Sequence, residues 1–323
     1  MINLENRSST WPPEPTATPG PLTIAIIIPT KNRPDDLIET VRSIVAQTRL
    51  PRQLIIVDQT AQSCAEAINA IVRDHPTMRT EYLWAPELPG LIAARNKGLE
   101  HATSDIVLFI DDDITLNPDC IDKLTTRYLQ HPEYAGICAV DVRGATIPWW
   151  LVIARRSYMQ GPFTDLRSLM NKQYKQLTEP RHVRLVSGGY MSYRRWIFDE
   201  FHFEDRLWGH RWNGSIDLSY RVSAKYPVVI DPLVRVDHRK PYGTYNPEEF
   251  VRVRVAGTFF FFQRNVNKDL TGWFSFILVI FAIFIISIRR GLQARALRRT
   301  IRAYFGELRR GLRFVRHPFQ EKY

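Results

Sequence analysis

The sequence predicts an α/β domain with a mainly parallel central sheet and flanking helices, followed by a C-terminal hydrophobic and amphipathic helical region that binds membranes. Three observations carry this. From Leu22 to Ile110 short apolar runs alternate with helical stretches, the order expected of βαβ units. The runs LTIAIII at 22–28, QLIIVD at 53–58 and IVLFI at 106–110 are nearly continuous rather than alternating, as in strands covered on both faces. Near the C-terminus, Trp273 to Ile288 form sixteen uncharged residues that lead directly into a polybasic stretch.

The elements follow in order. Residues 1–21 contain Pro12, Pro13, Pro15, Pro19 and Pro21 without an apolar run, which predicts a flexible extended lead and no secretory signal. The α/β domain is expected over 22–246. Its first strand runs into Pro29, an amphipathic helix covers Asp36 to Gln47, and a second strand ends at Asp58. A helix around Ala65 to Arg73, a short strand at Glu81 to Trp84, a helix from Leu91 to His101 and a strand from Ile106 to Ile110 follow. Another helix runs from Pro118 to about Gln130, and Gly136 to Val142 reads as a strand. Residues 145–180 lose this regularity and place Trp149, Trp150, Tyr158 and Tyr174 among Arg and Lys, which reads as an insertion on the active face of the sheet. Order returns at Val183 to Arg194, then a helix from about Ser215 to Lys225 and strands at Val228 to Ile230 and Val234 to Asp237. Residues 247–323 form the membrane-associating region, which opens with an aromatic helix at Glu248 to Gln263. No internal repeat is present.

Composition narrows the function. With 323 residues, 45% hydrophobic and 24% charged, the chain can bury a large core. Residues 289–323 hold eleven Lys or Arg against two Glu, a net +9, and this leaves only +2 of the total +11 for everything before them. A basic field confined to one appendage argues against a nucleic-acid-binding body. Cys64, Cys120 and Cys138 are odd in number and widely spaced, against both a disulfide framework and a zinc site.

Open parallel sheets bind ligands beyond the carboxyl ends of their strands, and those positions are polar here. Pro29-Thr30-Lys31-Asn32-Arg33 follows the first strand, Asp58-Gln59-Thr60 the second and Asp111-Asp112-Asp113 the fourth. Three adjacent carboxylates repel one another unless a divalent cation and phosphate oxygens neutralise them. Residues i and i+2 of an extended segment face one side, so Asp111 and Asp113 can share a nucleotide and its metal, while Asp112 points away or braces the turn.

These motifs together resemble family 2 glycosyltransferases of the GT-A fold, a Rossmann-like architecture. The resemblance rests on IIIPTKNRPDDL at 26–37, LIIVDQT at 54–60, GLIAARNKGL at 90–99, SDIVLFIDDD at 104–113, VSGGYMSYRRWIF at 186–198 and SIDLSYRV at 215–222, and spans roughly 22–238. It implies an inverting transferase that moves a sugar from a nucleotide-diphospho-sugar, UDP-linked by preference, with Mn2+ or Mg2+ as cofactor. Pro29, Thr30 and Arg33 would line the base and ribose side of the donor pocket, Asp58 would bond the base, and Arg95 and Asn96 would approach the ribose or diphosphate. Asp111 would meet the ribose and the metal, Asp112 would belong to the donor-binding turn, and Asp113 would hold the metal, with His238 a further metal or phosphate ligand. Gly188 and Gly189 allow close backbone approach to the sugar or acceptor. Tyr190 and Trp208 offer stacking surfaces or core, and Trp149 and Trp150 acceptor or lipid contacts.

One departure matters. The family's ED-x-D-x-x-x-R helix start reads Gly214-Ser215-Ile216-Asp217 here, with Arg221 retained. Serine stands where the base that deprotonates the acceptor is expected, and Ser215 could cap the helix instead. Asp217 and Asp205 are the favoured replacements, with Glu204 and His210 as further candidates, and a catalytically silent nucleotide-sugar-binding sensor or scaffold is the alternative function.

The tail sets the expected partners: a nucleotide-sugar donor, a lipid-linked or glycan acceptor, the membrane, no nucleic acid, and a homo-oligomer as an option. Residues 273–288 would extend about 24 Å as a helix, short of the roughly 30 Å hydrocarbon core. Leu297, Ile301, Phe305, Leu308, Leu312 and Val315 recur every three or four residues with arginines between, the pattern of an interfacial helix. Basic segments stay cytoplasmic and nucleotide sugars are used there, so the chain is expected at the cytoplasmic face. The apolar segment then enters and returns, pairs with the helix around Phe259 to Phe262, or lies shallowly in one leaflet.

Overall fold

A computed structural model describes residues 21–143, 177–186, 188–204, 214–239 and 246–316. The Pro-rich lead, the insertion with Trp149 and Trp150, and the loop carrying Asp205, Trp208 and His210 lie outside the described residues.

Six strands run parallel: β1 (Ile24–Thr30), β2 (Gln53–Asp58), β3 (Arg79–Trp84), β4 (Ile106–Ile110), β6 (Gly136–Asp141) and β9 (Val228–His238). Three run against them: β5 (Ile114–Leu116), β7 (Arg181–His182) and β8 (Tyr190–Arg194). The order across the sheet is β3-β2-β1-β4-β8-β6-β9-β5, with β7 on β9. Every residue of β1, β2, β4 and β6 is buried, as their unbroken apolar runs require, whereas edge strand β3 is partly exposed.

Helix α1 (Pro34–Val45) shows why the covering layers form where they do. Proline opens it, Asp35 and Asp36 oppose the N-terminal dipole, and Leu37, Thr40, Val41 and Ile44 make one buried stripe. Then come α2 (Ala65–Val72), α3 (Leu91–His101), α4 (Cys120–Gln130), the short α5 (Ile197–Glu200) and α6 (Gly214–Lys225). Helix α3 presses so closely on β1 that a Cβ at Gly98 would stand 2.5 Å from Ile27 Cγ2.

Besides the two-residue β7, the sheet differs from the expected one in two places. Strand β5 had no apolar run long enough to announce it. The two late strands are one, because β9 continues through Asp231-Pro232: its register against β6 jumps from Cys138↔Ile230 to Val140↔Arg235. An irregularity of this kind absorbs a proline that cannot donate to the ladder, and Arg127 Nε holds Asp231 at 2.5 Å beneath it.

The C-terminal region is three helices: α7 (Pro247–Asn265), α8 (Leu270–Gln293) and α9 (Leu297–Arg316). Asn246 and Asp269 cap α7 and α8 by accepting from Glu249 N and Gly272 N at 2.8 and 2.7 Å. Helix α8 is longer than the sixteen-residue apolar run. Its Gly272–Gln293 portion, 22 residues, is long and apolar enough to cross a membrane, at roughly 33 Å, because Arg289, Arg290 and the capped first turn extend it at both ends. Phe259, Phe262 and Phe276 form the aromatic centre of a second hydrophobic cluster. Phe260, one residue from Phe259, packs into the sheet's own core, so α7 ties the two clusters together.

Candidate functional site

Register assembles the site. Thr30 pairs with Asp58 at the ends of β1 and β2, β4 lies on the other side of β1, and Ile110 faces Tyr190 at the start of β8. The acidic turn therefore sits beside Pro29-Thr30-Arg33 on one side and Gly188-Gly189 on the other. Strand β5 supplies the last component, since Ile114 pairs with His238 and this carries the imidazole to Asp113.

The three aspartates lie in a turn and not in an extended segment, and they differ in exposure and partners. Asp112 turns inward: Thr30 Oγ1 donates to it at 2.8 Å, Arg33 Nη1 at 3.2 Å, and its carbonyl accepts from Thr40 Oγ1 at 2.7 Å and Arg239 Nη2 at 3.2 Å. Burial pushes its carboxyl up to about 6, against the pull of Thr30 and Arg33. Asp113 meets Arg33 Nη1 at 3.1 Å and His238 Nε2 at 3.1 Å. Burial opposes its charge, but the hydrogen bond and charge of His238 prevail and hold its carboxyl below the usual range. Burial likewise disfavours the His238 cation, and the bond to Asp113 outweighs it and raises its pKa. Asp111 is the open member, with a side chain 33% exposed.

Arg95 backs Asp111 from inside. Its side chain is 1% exposed, and Nη2 donates to Asp111 Oδ1 at 3.1 Å and to the Gly188 carbonyl at 2.6 Å. Its Nε and Nη1 find no hydrogen-bond partner among the described residues. Burial lowers its pKa and Asp111 counters. A Cβ at Gly189 would stand 3.0 Å from Asp111 Oδ2, and one at Gly188 would stand 2.6 Å from Ser215 Oγ. The glycine pair is therefore required by close packing between the acidic turn and α6.

Two carboxylates and an imidazole are a donor set suited to Mn2+ or Mg2+. Among the described residues no three such side chains are drawn together as ligands: Asp113 and His238 are paired with each other, and Asp111 is the carboxylate left partly open.

Other expected site residues fare differently. Asp58 stands at the end of β2 but is fully buried, accepting from Tyr82 Oη at 2.5 Å and Thr60 N at 2.8 Å. It ties the end of β2 to β3 through Tyr82 and presents no exposed oxygen. Asn96 Nδ2 donates to the Phe203 carbonyl at 3.1 Å, which directs that amide toward the 201–204 segment. Tyr190 is core, its ring edge 6.3 Å from His238 between centroids.

Asp217 is a correction. It is wholly buried and both oxygens are occupied: Arg221 Nε and Nη2 donate to Oδ2 at 3.0 and 2.8 Å, and Asn265 Nδ2 to Oδ1 at 2.9 Å, with Arg264 Nε 3.5 Å away. Such a carboxylate fastens α6 to α7 and is not placed to take a proton from an acceptor. Glu204 is ion-paired with Arg264 in the same cluster. Ser215 is no cap either, because α6 begins at Gly214 and puts the serine inside its first turn beneath Gly188. Sequence reasoning missed Tyr82, Thr40 and Arg239. For Arg239 there was a signal, its position next to His238; for Tyr82 and Thr40 only the register of β3 and the face of α1 bring them in.

A mostly parallel α/β sheet with carboxylates, a buried arginine and paired glycines gathered at its strand ends has its polar groups where open sheets of this class bind ligands. Within that class, the chain belongs to glycosyl transferase family 2, whose family profile matches residues 25–201. Among curated relatives, a glucosyl-dolichyl phosphate glucuronosyltransferase of Haloferax volcanii is 31% identical over 163 residues, covering 50% of this chain and 49% of the relative. The chain thus spans about half the length of that relative. The succinoglycan biosynthesis protein ExoM of Rhizobium meliloti is 33% identical over 138 residues, 40% of this chain and 43% of that protein. Two solved structures share the GT-A fold: TarS residues 1–349 of S. aureus in complex with UDP-GlcNAc (TM-score 0.56, 15% identity, 91% of this chain and 82% of that one), and a mannosyltransferase of Pyrobaculum calidifontis in complex with GDP-Man and Mn2+ (0.55, 16%, 94% and 89%).

Proposed function

We propose that this protein is an inverting, divalent-cation-dependent glycosyltransferase. It takes a sugar from a nucleotide-diphospho-sugar, with UDP the favoured nucleotide, to a lipid-linked or envelope glycan acceptor at the cytoplasmic membrane face. The observation that carries it is the pairing of an open Asp111 oxygen, backed by buried Arg95, with the Asp113–His238 pair two residues away. The relative named for dolichyl phosphate and the one named for succinoglycan biosynthesis support an acceptor of this class, and the neighbours holding UDP-GlcNAc and GDP-Man a nucleotide-sugar donor.

In the reaction, an acceptor hydroxyl oxygen attacks the anomeric carbon from the face opposite the leaving group. The bond from that carbon to the diphosphate oxygen breaks, and the nucleoside diphosphate departs with the electron pair. A cation at Asp111, Asp113 and His238 would neutralise charge on the diphosphate. Arg33 and Arg95 add positive charge from fixed positions on the same side. Thr30 and Arg33 line the nucleoside side, and Gly188-Gly189 let the acidic turn and α6 pack closely at the sugar side. The acceptor proton needs a carboxylate. With Asp217 locked and Glu204 ion-paired, Asp205, the next residue along, takes that role.

The test is donor turnover by the purified full chain over a panel of UDP- and GDP-sugars with Mn2+ or Mg2+. Asp111→Asn is expected to cut turnover by about a hundredfold or more with little change in thermal unfolding, since Asp111 is partly exposed and an amide oxygen can still accept from Arg95. Absence of both turnover and metal-dependent thermal stabilisation by every nucleotide sugar would overturn the reading. Ser215 in place of the family's carboxylate favours one competing reading, a silent nucleotide-sugar sensor or scaffold. Stabilisation by a donor without turnover, unaltered in Asp205→Ala, would select it.

A further inference from the structure

We infer that the three C-terminal helices dock flat on an anionic lipid surface through one face of α8 and do not cross the bilayer. This rests on the membrane association proposed above and specifies the surface that makes it. On α8, Leu270, Phe274, Ile277, Phe281, Ile285 and Leu292 are all exposed. Their spacing of three, four or seven residues puts them on one face of the helix. The opposite face, with Phe276, Val279, Ile280 and Ile283, is buried in the second cluster. Large apolar side chains aligned outward along a whole helix are the reverse of what a water-facing surface selects.

Length alone would allow α8 to cross, but its neighbours forbid it. Helix α9 folds back along it: Tyr304 Oη donates to the Ile280 carbonyl at 2.7 Å, the Phe284 ring lies 4.9 and 5.9 Å from those of Tyr304 and Phe305, and Gly291 abuts Leu297 and Thr300. Arg298, Arg302, Arg309 and Arg313 are exposed on α9, on either side of the Tyr304 contact at the middle of α8. If α8 stood upright in a bilayer, these guanidinium groups would lie at hydrocarbon depth, at about 2.5–3.5 kcal/mol each near the centre.

Lying flat removes the conflict. The exposed face of α8 enters the acyl boundary, and Phe305 and Leu312 of α9, both exposed, widen it on the side where Phe284 and Phe305 meet. The α9 arginines then flank the apolar band at headgroup level, where basic residues add attraction to anionic lipid. The net +9 of residues 289–323 matches an anionic leaflet and disfavours a second copy of the same positive face as the occupant.

The test uses the full chain with phosphatidylglycerol-containing vesicles and with pure phosphatidylcholine vesicles. Preference for the anionic vesicles is expected, with Phe274→Glu/Phe281→Glu binding at least about tenfold more weakly. Arg298, Arg302, Arg309 and Arg313, each replaced by Gln on the exposed side of α9, guard against misfolding. That variant should lose the anionic preference while its thermal unfolding is unchanged. Topology is read with Lys268→Cys and Gln293→Cys at the two ends of α8, in a Cys64→Ser background, in sealed inverted membrane vesicles. A membrane-impermeant maleimide should modify both before detergent. Protection of one end until detergent is added means a crossing helix and overturns the inference. So does a lipid-free dimer that Phe274→Glu/Phe281→Glu splits while vesicle binding persists. Donor turnover in detergent micelles reads the catalytic proposal separately, so either can fail alone.

Discussion

The molecule holds two acidic centres that differ in what they leave open. At the strand ends, Asp111 retains a partly exposed carboxylate while Asp112 and Asp113 share Arg33. At the junction of α6 and α7, Asp217 is buried with every oxygen matched by Arg221, Asn265 and nearby Arg264. The first centre crowds three carboxylates on rigid strand termini, pairs them with Arg33, Arg95 and His238, and leaves one of them, Asp111, partly open to a ligand. The second is complete without one. Residue type alone cannot tell these apart: exposure and the state of each lone pair can.

The largest expected contrast comes from treating the two centres alike. Asp111→Asn should remove activity and spare stability, because its side chain is partly exposed and the amide keeps an acceptor for Arg95. Asp217→Ala should reverse the pattern: leaving Arg221 and Asn265 without their acceptor is expected to cost about 3 kcal/mol of unfolding free energy, while turnover per folded molecule in the native temperature range stays unchanged. Urea unfolding and donor turnover on the same preparations measure both. A loss of turnover in Asp217→Ala without a loss of stability would return Asp217 to the catalytic candidates.

A smaller effect tests whether the strand-end centre depends on packing beneath it. Gly98 lets α3, which carries Arg95, lie against β1, which carries Thr30. In Gly98→Ala the new Cβ meets Ile27, fully buried and β-branched, at 2.5 Å. Displacing α3 should cost about 1–3 kcal/mol, and donor affinity should fall with it because Arg95 moves relative to Asp111. Gly306→Ala, with open space around its Cβ, is the control and should gain slightly from helix propensity.

What was legible in the sequence follows the same division. Strands β1, β2 and β4 and the residues that end them were readable because fully buried parallel strands write unbroken apolar runs, and their polar termini stand out by contrast. His238 was named on resemblance as a ligand, and its route to Asp113 passes through β5, three residues with no periodicity to read. Asp217 was misjudged because its partners Arg264 and Asn265 lie 47 and 48 residues further along, and no local pattern encodes a contact at that separation. The length of α8 was underestimated by equating a charge-free run with a helix: Arg289 and Arg290 continue it beyond the apolar run, and Arg290 packs over the Phe250 ring at 4.3 Å.

The smallest effect belongs to an ion pair that is neither buried nor short of partners. Lys225 at the end of α6 donates to both oxygens of Glu200 at the end of α5, each at 2.7 Å, and Tyr226 adds a bond at 2.9 Å. Lys225 chiefly, then Tyr226, holds the Glu200 carboxyl below its ordinary value of 4.5. Because the folded value is depressed, the stability it contributes is present above the ordinary carboxyl pKa and is lost as pH falls through the folded one. Glu200→Gln should therefore unfold slightly more easily than the parent at neutral pH, and the two should converge in acid. Water and salt screen an exposed pair, so high ionic strength should erase the difference as well. Asp217→Ala should keep most of its deficit in salt, because its charges are shielded from solvent by α7. If both deficits vanish in salt together, the separation between a fully matched interior carboxylate and a surface one fails, and the structural role given to Asp217 fails with it.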